Sequence, residues 1–581
     1  MARAKSTIWL LAGGVLMVFC SGKWSVPLAV WLALVCLLHF ARRARSILAL
    51  LWVWLALFVA VSVANYGVLQ LPDAAFLGIM AGVTATVALP FVADRLLAPR
   101  VPGFWSTLVF PATWVALEFA SSRLNPYGTW GALAYTQYGN LSLMQLVSAT
   151  GIWGIAFLVA WFAAVVNWAW ERRFEWGAIR RGVLLYAAVL GVVMLAGGAR
   201  LAFSRTSPTV RIAGISRPRE VTAPAAADRL LAPDLSASER EQVRDWFVRV
   251  QNAFFERSLR EAQAGAKIVV WPENNLLVFK EDEDAFLERA RGFAEEHAIF
   301  LLMGMATFDL GAPRPAHNHA VLVDPAGQIA FSYTKITAVP GWEASTIIRG
   351  KGPIPVADTS YGRIASLICY DLDFPQLVRQ VGHSQADILL VAANDWQEIG
   401  PLHQHMAEFR AVENGVPMFR MARSGRPSAV DPYGRPLAAM DDLAAQDSVM
   451  GRRFPRSGCS RSTQLSAISS PGCVWPGSWA ASCGPLSQRV GQDLPTPLVN
   501  GAHCLSVPTL IFPRQSGYRN KRRHDMIPQL EGPAGHVRDT TGHHMGYHFA
   551  EMGHQMGHYS AQMGHQRTPF WPNGTLNGTP F

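Results

Sequence analysis

The sequence predicts a multispan α-helical membrane domain over residues 1–204, followed by an α/β layered domain over residues 205–450. Three observations lead to this prediction. The first part is almost continuously apolar, the second alternates short β-rich runs with amphipathic helices, and both patterns stop after about Val449. Residues 451–581 are therefore expected to form an irregular C-terminal tail, either disordered or translated out of frame.

Seven runs in the first part are apolar enough to cross a bilayer, whose hydrocarbon core of about 30 Å takes about 20 residues of helix. Seven such runs in succession leave no polar face for water, which argues against buried helices of a soluble protein. The predicted spans are 6–21, 25–40, 46–65, 74–93, 104–121, 146–169 and 182–201.

The basic residues of the first part fall in alternate loops, and an excess of Lys and Arg marks the cytoplasmic side. We therefore expect a cytoplasmic N-terminus, and seven spans then place the α/β domain outside the cytoplasm. The net charge of +10 reflects this topology and does not indicate a nucleic-acid partner. The basic loop residues are Arg3, Lys5, Arg42, Arg43, Arg45, Arg95, Arg100, Arg172, Arg173, Arg180 and Arg181.

One predicted outer loop carries an ionisable residue next to the membrane. Glu118 lies inside or at the end of a span, where a charge is costly, and Arg123 is a plausible ion-pair partner. Trp130 and Tyr135 follow in the same segment. Two interpretations stay open: an interfacial aromatic belt with one ion pair, or an access route for a substrate that Glu118, Trp130 and Tyr135 would line.

The second part reads as a mixed sheet covered by helices. Helices are predicted over 238–264 and 283–297. Strands are predicted over 209–214, 267–271, 299–304, 319–323, 328–333, 363–369 and 387–392.

Three of these strands end in a chemically reactive side chain, namely Glu273, Lys335 and Cys369. Strand ends are common catalytic positions, because the sheet fixes the residue while the following loop leaves it accessible. A carboxylate can take the thiol proton of a cysteine, and an ammonium can stabilise the oxyanion of a tetrahedral intermediate. The three residues together predict nucleophilic catalysis through a cysteine thiolate.

The sequence motifs around these residues resemble the Glu-Lys-Cys site of the nitrilase superfamily. Together with the apolar first part, and with Pro111, Trp114 and Glu118 followed by a Gly128–Gln137 word, they resemble the apolipoprotein N-acyltransferases of bacterial envelopes. The resemblance covers about residues 1–450 and implies an αββα sandwich for the second part. The matching words are Trp271-Pro272-Glu273, Tyr333 with Lys335, Pro340 with Glu343, Cys369-Tyr370-Asp371 and Phe374-Pro375.

The resemblance implies a role for each matching residue. Glu273 would be the general base, Lys335 the oxyanion-stabilising cation and Cys369 the nucleophile. Glu343, Tyr370 and Asp371 would support the site, although the family usually has Glu where this chain has Asp371. Trp342 would join the residues that line the access route.

The implied reaction moves an acyl chain from a phospholipid to the cysteine as a thioester, and then to the α-amine of a diacylglyceryl apolipoprotein. The implied location is the bacterial inner membrane, as a multi-pass protein with a periplasmic catalytic domain. Neither a cofactor nor a metal is implied. A membrane-anchored carbon–nitrogen hydrolase, or amidase, with the same triad is the alternative. A catalytically inactive scaffold is disfavoured, because all three triad positions are filled.

Four of the seven cysteines lie in the tail, and their scatter gives no disulfide framework. Met-Gly-His recurs in the tail at 552–554, 556–558 and 563–565. Methionine and histidine suit a soft metal such as copper, but we favour a repeat translated out of frame. The family would place a final transmembrane helix here, and the sequence shows no apolar run of spanning length.

Overall fold

The computed structural model describes residues 2–44, 46–69, 71–204, 207–217, 219–232, 234–445 and 449–455. The predictions for the Met-Gly-His repeats and the rest of the tail beyond residue 455 lie outside these residues. The side chain of Trp342 also lies outside the described part, so its expected place on an access route stays a prediction.

Helices account for most of the chain before residue 204. A helix forms at each of the seven predicted spans. The helices are α1 Ala2–Val18, α2 Pro27–Arg43, α3 Ala49–Asn65, α4 Asp73–Leu97, α5 Val109–Leu124, α6 Leu141–Met144, α7 Val147–Thr150, α8 Trp153–Glu171 and α9 Trp176–Ala202. The single-turn α6 lies between the fifth and the sixth span, and the single-turn α7 begins the sixth.

Three helical stretches among the described residues are long and apolar enough to cross a membrane: Asp73–Arg100, Trp153–Glu171 and Trp176–Ala202. Shorter apolar helices cover Thr7–Val18, Ala49–Asn65 and Leu141–Thr150. Two of the predicted spans are not single continuous α-helices. The fifth begins with a 3-10 turn, Gly103–Leu108, before α5. The sixth is broken at Gly151, whose φ of 63° ends α7 because this conformation does not continue a right-handed helix.

The α/β domain begins with a mixed sheet and its covering helices. Its elements are β1 Thr209–Ile215, α10 Ala237–Gln263, β2 Ile268–Val270, β3 Leu276–Phe279, α11 Glu283–Glu296, β4 Phe300–Phe308, β5 Ala316–Val323 and β6 Ile329–Thr334. Helix α10 starts with a capping box, in which Ser236 and Glu239 satisfy each other's backbone amides.

A second sheet follows along the chain. Its elements are α12 Trp342–Thr346, β7 Val356–Thr359, β8 Gly362–Ile368, α13 Pro375–His383, β9 Ile388–Asn394, α14 Gly400–Asn414, β10 Met418–Arg423, β11 Ser428–Val430 and β12 Pro436–Ala439. The last described strand, β13 Val449–Pro455, returns to the first sheet and pairs antiparallel with β1.

The two sheets pack face to face with helices outside, which confirms the expected αββα sandwich. The strand orders are β13-β1-β2-β4-β5-β6, with β3 also beside β4, and β12-β11-β10-β9-β8-β7. One apolar cluster fills the space between the sheets, and another lies beneath α10 and α11. Strand β13 also corrects the expected end of regular structure at Val449, because the sheet continues to Pro455.

Loops between the helices bind the α/β domain directly. The indole of Trp396 donates to the carbonyl of Val68 at 2.6 Å. The phenol of Tyr138 donates to Glu408 at 2.9 Å, and its ring stacks on His405. These contacts fix the helical part against the face of the domain that holds the strand ends.

Candidate active site

The three predicted catalytic residues follow three different strands and meet at one edge of the sandwich. Glu273 follows β2, Lys335 follows β6 and Cys369 follows β8. All three side chains are buried. The charges of Glu273 and Lys335 both act on the pKa of the Cys369 thiol, so the three groups form one electrostatic unit.

Glu273 is held by three hydrogen bonds. Its Oε1 accepts from Lys335 Nζ at 2.8 Å and from the Asn318 amide at 2.6 Å. Its Oε2 accepts from the backbone amide of Asn394 at 3.0 Å. Gly304 lets this loop pack tightly, because a Cβ there would lie 2.4 Å from the carbonyl oxygen of Pro272. Burial raises the pKa of Glu273 and the Glu343 charge adds to it, while Lys335 opposes the rise, so Glu273 is a stronger base than an exposed carboxylate.

Lys335 lies between two carboxylates. Its Nζ is 2.8 Å from Glu273 Oε1 and 2.8 Å from each oxygen of Glu343. Burial works against the charged ammonium, but the two carboxylates outweigh burial and raise the pKa of Lys335 well above its usual value. Glu343 also accepts from the backbone amide of Val339, which fixes its carboxylate. Lys335 therefore stays a cation, as an oxyanion-stabilising group must.

Cys369 starts a 3-10 turn that ends at Asp373, and its φ is +43°. A non-glycine residue in this region is strained by about 1–3 kcal/mol and is held there by its surroundings. The thiol lies 3.7 Å from the carbonyl oxygen of Asn394. Burial, and then the charge of Glu273, raises the pKa of the thiol to about 11. Cys369 is therefore a thiol at neutral pH, and to act as the predicted nucleophile it would have to pass its proton to a base.

The two residues after the nucleophile anchor this turn. Asp371 accepts from the phenol of Tyr333 at 2.7 Å and from the backbone amide of Thr337 at 2.8 Å. Burial raises the pKa of Asp371 to about 6. The Tyr370 phenol donates to the carbonyl of Pro126 in the loop after α5. Tyr370 and Asp371 therefore fix the turn that carries Cys369, and their expected supporting roles stay a prediction.

Glu118 does not pair with Arg123, so the predicted ion pair was wrong. Its Oε1 accepts from the Trp114 indole at 2.9 Å and from the backbone amide of Leu133 at 2.8 Å. The Arg123 guanidinium lies over the Phe119 ring instead. The pair fails because a separation of five residues on a helix turns the side chains to different faces, whereas Trp114 and Glu118 are four apart.

Trp130 and Tyr135 contact the α/β domain. The Trp130 ring meets His403 edge to face, with ring centroids 5.7 Å apart. The Tyr135 phenol hydrogen-bonds Thr129 at 2.7 Å and also binds Arg410. Both residues lie at the joint near the nucleophile turn, and their part in substrate access stays a prediction.

Several residues at the site had no predicted role. Asn318 in β5 binds Glu273, but it lies between two histidines and before the predicted strand 319–323, so no signal in the sequence identified it. Asp395 and His403 lie beside Cys369, with donor atoms of the three residues within 4.8 Å of one another. Arg420 binds both oxygens of Asp395 at 2.9 Å. No function could be predicted for these residues, because their contact with Cys369 depends on how distant segments pack.

Two clusters among the described residues have the donor types of a metal site. One is Cys369, Asp395 and His403, where a guanidinium already occupies both oxygens of the aspartate. The other is Glu283, His317 and His319, where the Lys280 ammonium pairs with Glu283. A cation beside each carboxylate opposes the binding of a second cation.

The chain matches two protein families over separate ranges. The apolipoprotein N-acyltransferase N-terminal domain matches residues 13–165, and the carbon-nitrogen hydrolase family matches residues 248–446. The fold has a likeness to an amidase from Nesterenkonia sp. at 22% identity and a TM-score of 0.35, which covers 44% of this chain and 94% of that protein.

Two curated relatives carry the same name. The apolipoprotein N-acyltransferase of Geobacter metallireducens is 30% identical over 409 residues, covering 65% of this chain and 74% of that protein. The apolipoprotein N-acyltransferase of Pseudomonas aeruginosa is 28% identical over 447 residues, covering 72% of this chain and 81% of that protein. Since these similarities span both the helical part and the sandwich, the chain belongs to the apolipoprotein N-acyltransferase family.

Proposed function

We propose that this chain takes an acyl chain from a phospholipid onto Cys369 and passes it to the N-terminal diacylglyceryl-cysteine of a lipoprotein. The observation that carries this proposal is the joint between the nucleophile turn and the helical part. Tyr370 binds Pro126, and the carbonyl of Asp373 binds Thr129. The thiol therefore lies where apolar helices meet the sandwich, within reach of a lipid ester.

In the first half-reaction the Cys369 thiol gives its proton to Glu273, and the sulfur attacks the carbonyl carbon of the lipid ester. Lys335 stabilises the oxyanion that forms. The carbon–oxygen bond then breaks, and the lysophospholipid alkoxide takes the proton from Glu273. The product is an acyl thioester on Cys369, with Glu273 again ionised.

In the second half-reaction the α-amine of the lipoprotein attacks the thioester carbonyl and gives a proton to Glu273. The carbon–sulfur bond breaks and the thiolate leaves. Glu273 returns its proton to the sulfur, which restores the thiol. Two half-reactions at one nucleophile constitute a ping-pong mechanism, and the same three side chains serve both.

We further propose that the catalytic domain lies outside the cytoplasm, at the bacterial inner membrane. Arg42 after the second predicted span binds Asp94 with two hydrogen bonds of 2.7 and 2.8 Å, and it pairs with Glu171. The ends of α2, α4 and α8, which the arginine pattern assigns to the cytoplasmic side, therefore lie together. Val68 and Pro126, from loops assigned to the other side, contact the sandwich.

The test supplies the full chain with phospholipid and a synthetic diacylated lipopeptide, and mass spectrometry follows the peptide. A gain of one acyl chain on the peptide supports the proposal. A peptide whose amine is acetylated should gain nothing, and neither should a reaction with the Cys369→Ala variant. Release of ammonia from small amides with no acyl gain on the peptide would support the amidase alternative instead.

A further inference from the structure

A buried histidine adjoins the nucleophile on the side away from the predicted triad. His403 lies in the first turn of α14. One of its ring nitrogens, the Sγ of Cys369 and a carboxylate oxygen of Asp395 all lie within 4.8 Å of one another. Its side chain is 7% exposed. A polar ring buried this deeply beside the reacting sulfur needs a physical account.

One nitrogen of the ring is committed to an aspartate. His403 Nδ1 lies 2.9 Å from Asp395 Oδ1. Arg420 also binds Asp395, with 2.9 Å to each carboxylate oxygen, so Asp395 stays ionised and can only accept. Nδ1 must therefore carry the proton of this bond, which leaves Nε2 free to face the site.

The second nitrogen faces another carboxylate. His403 Nε2 is 3.5 Å from Asp373 Oδ2. Both atoms are fully buried, and this long ion-pair contact is not a hydrogen bond of good geometry. A buried ring nitrogen whose only contact is this long one can also serve a charge that develops on the nearby sulfur.

Two carboxylates hold a proton on this ring. Burial works against the charged imidazole, but Asp373 and Asp395 outweigh burial and raise the pKa of His403 well above its usual value. His403, together with Lys335, opposes the raised pKa of the Cys369 thiol. The ring is therefore a cation beside the sulfur in the neutral pH range.

The helical part completes this arrangement. The Trp130 ring covers His403 edge to face, at an interplanar angle of 78°. The backbone amide and the hydroxyl of Thr129 donate to the carbonyl of Asp373, at 3.0 and 2.9 Å. A cover of this kind excludes water and strengthens the attraction between an imidazolium and a thiolate.

We propose that His403 is a fourth catalytic residue, an imidazolium that donates a hydrogen bond from Nε2 to the Cys369 sulfur when the thiolate forms. This assignment rests on the proposed function, with Glu273 still the acceptor of the thiol proton. His403 keeps its proton throughout, and it stabilises the sulfur both as attacking group and as leaving group. Lys335 is then left free to serve the oxyanion.

The test measures the thiolate directly, without phospholipid or lipopeptide. The full chain in detergent is alkylated with iodoacetamide across a pH series, and mass spectrometry quantifies alkylation of the peptide that contains Cys369. We expect His403→Gln to raise the pH midpoint of alkylation by about one unit or more, as loss of a neighbouring cation does. His405→Gln is the matched control on the same helix, because His405 stacks on Tyr138 and should leave the midpoint unchanged.

Several charged groups face His403 from the elements packed against it. Those groups are Asp373, Asp395, Cys369 and Arg420, with Glu273 and Lys335 behind the sulfur. His403→Asn is the second variant, used also if His403→Gln does not fold, and it should raise the midpoint in the same direction because it removes the same cation. An unchanged midpoint in either folded variant overturns the assignment.

The outcome is separable from that of the acyl-transfer assay. If the lipopeptide gains no acyl chain but the alkylation midpoint shifts, the proposed function fails while the imidazolium–thiolate contact stands. If the peptide is acylated normally and the midpoint does not move in His403→Gln, the contact fails and the proposed function stands.

Discussion

The carbonyl oxygen of Asp373 accepts two hydrogen bonds from Thr129, one from the backbone amide at 3.0 Å and one from the hydroxyl at 2.9 Å. The two residues are 244 positions apart, one in a loop between helices of the apolar part and the other at the end of the nucleophile turn. Gly128 makes this approach possible, because a Cβ there would lie 2.5 Å from the same oxygen. The position of the nucleophile is therefore set in part by the helical domain.

Thr129→Val should slow acyl-enzyme formation by about tenfold, because small misplacements of a reacting group are costly. The change removes the hydroxyl's bonds to Asp373 and Tyr135, and it keeps the shape of the side chain and the backbone bond. The measurement is the single-turnover rate with labelled phospholipid. Thr113→Val is the control, since its hydroxyl binds Val109 within the same helix. Equal rates for the two variants would mean that the joint does not position the thiol.

Glu343→Gln should move the acid limb of the pH–rate profile to lower pH. Glu273 acts as a base only when ionised, so acylation slows as the pH falls through the pKa of Glu273. The Glu343 charge helps to raise that pKa, so its removal lowers the pKa of Glu273. The exposed Glu288→Gln variant is the control. A limb that stays in place or moves to higher pH would contradict the electrostatic account.

Glu118→Ala should destabilise the protein by about 1–3 kcal/mol, because the Trp114 indole and the Leu133 amide lose a buried acceptor. Glu118→Gln keeps one oxygen and should cost less. Arg123→Ala should lower the apparent Tm less than Glu118→Ala does, since Arg123 does not bind Glu118 and loses only its contact with the Phe119 ring. Thermal unfolding in detergent measures all three. An equal fall in apparent Tm for Glu118→Ala and Arg123→Ala would support the Glu118–Arg123 ion pair that the sequence suggested.

A reporter that is active only outside the cytoplasm should be active when fused after Ser204 and inactive when fused after Arg173. The arginine pattern predicts this result, as does the grouping of Arg42, Asp94 and Glu171 at one end of the helices. A cytoplasmic reporter at the same two positions is the control. Reversed activities would place the catalytic domain in the cytoplasm and exclude the proposed topology.

The sequence predicted best those features that depend on a single helix or strand. Apolar runs predicted the positions of seven helices, and strand periodicity predicted β1, β4, β5 and β8 to within a few residues. Glu273, Lys335 and Cys369 could be identified because each follows a strand and carries a recognisable word. The three residues meet at one edge of the sandwich because of the order of the strands in the sheets. The sequence motifs imply that order only through their resemblance to a known family.

Contacts between distant segments could not be read from the sequence. His403 reaches Cys369 only because α14 packs beside the nucleophile turn, and Asn318 reaches Glu273 across two strands. The pairing of β13 with β1 also joins the two ends of the domain, so residues 449–455 lack a local signal that identifies their partner. Arg123 shows the reverse error, since closeness in sequence suggested a pair that helix geometry does not form.

The most direct test of the central claim is a pulse and chase on the sulfur of Cys369. The full chain is first incubated with phospholipid carrying a labelled acyl chain, and the excess lipid is removed. Transfer through Cys369 predicts one hydroxylamine-sensitive label on the peptide that contains this residue. The Cys20→Ala and Cys36→Ala variants should keep the label. The same mechanism makes a prediction for the chase. It also predicts that a diacylated lipopeptide then removes the label and appears with one added acyl chain. A label that persists on a Cys369→Ala variant, or that leaves wild-type protein only as free fatty acid, would contradict transfer through this cysteine.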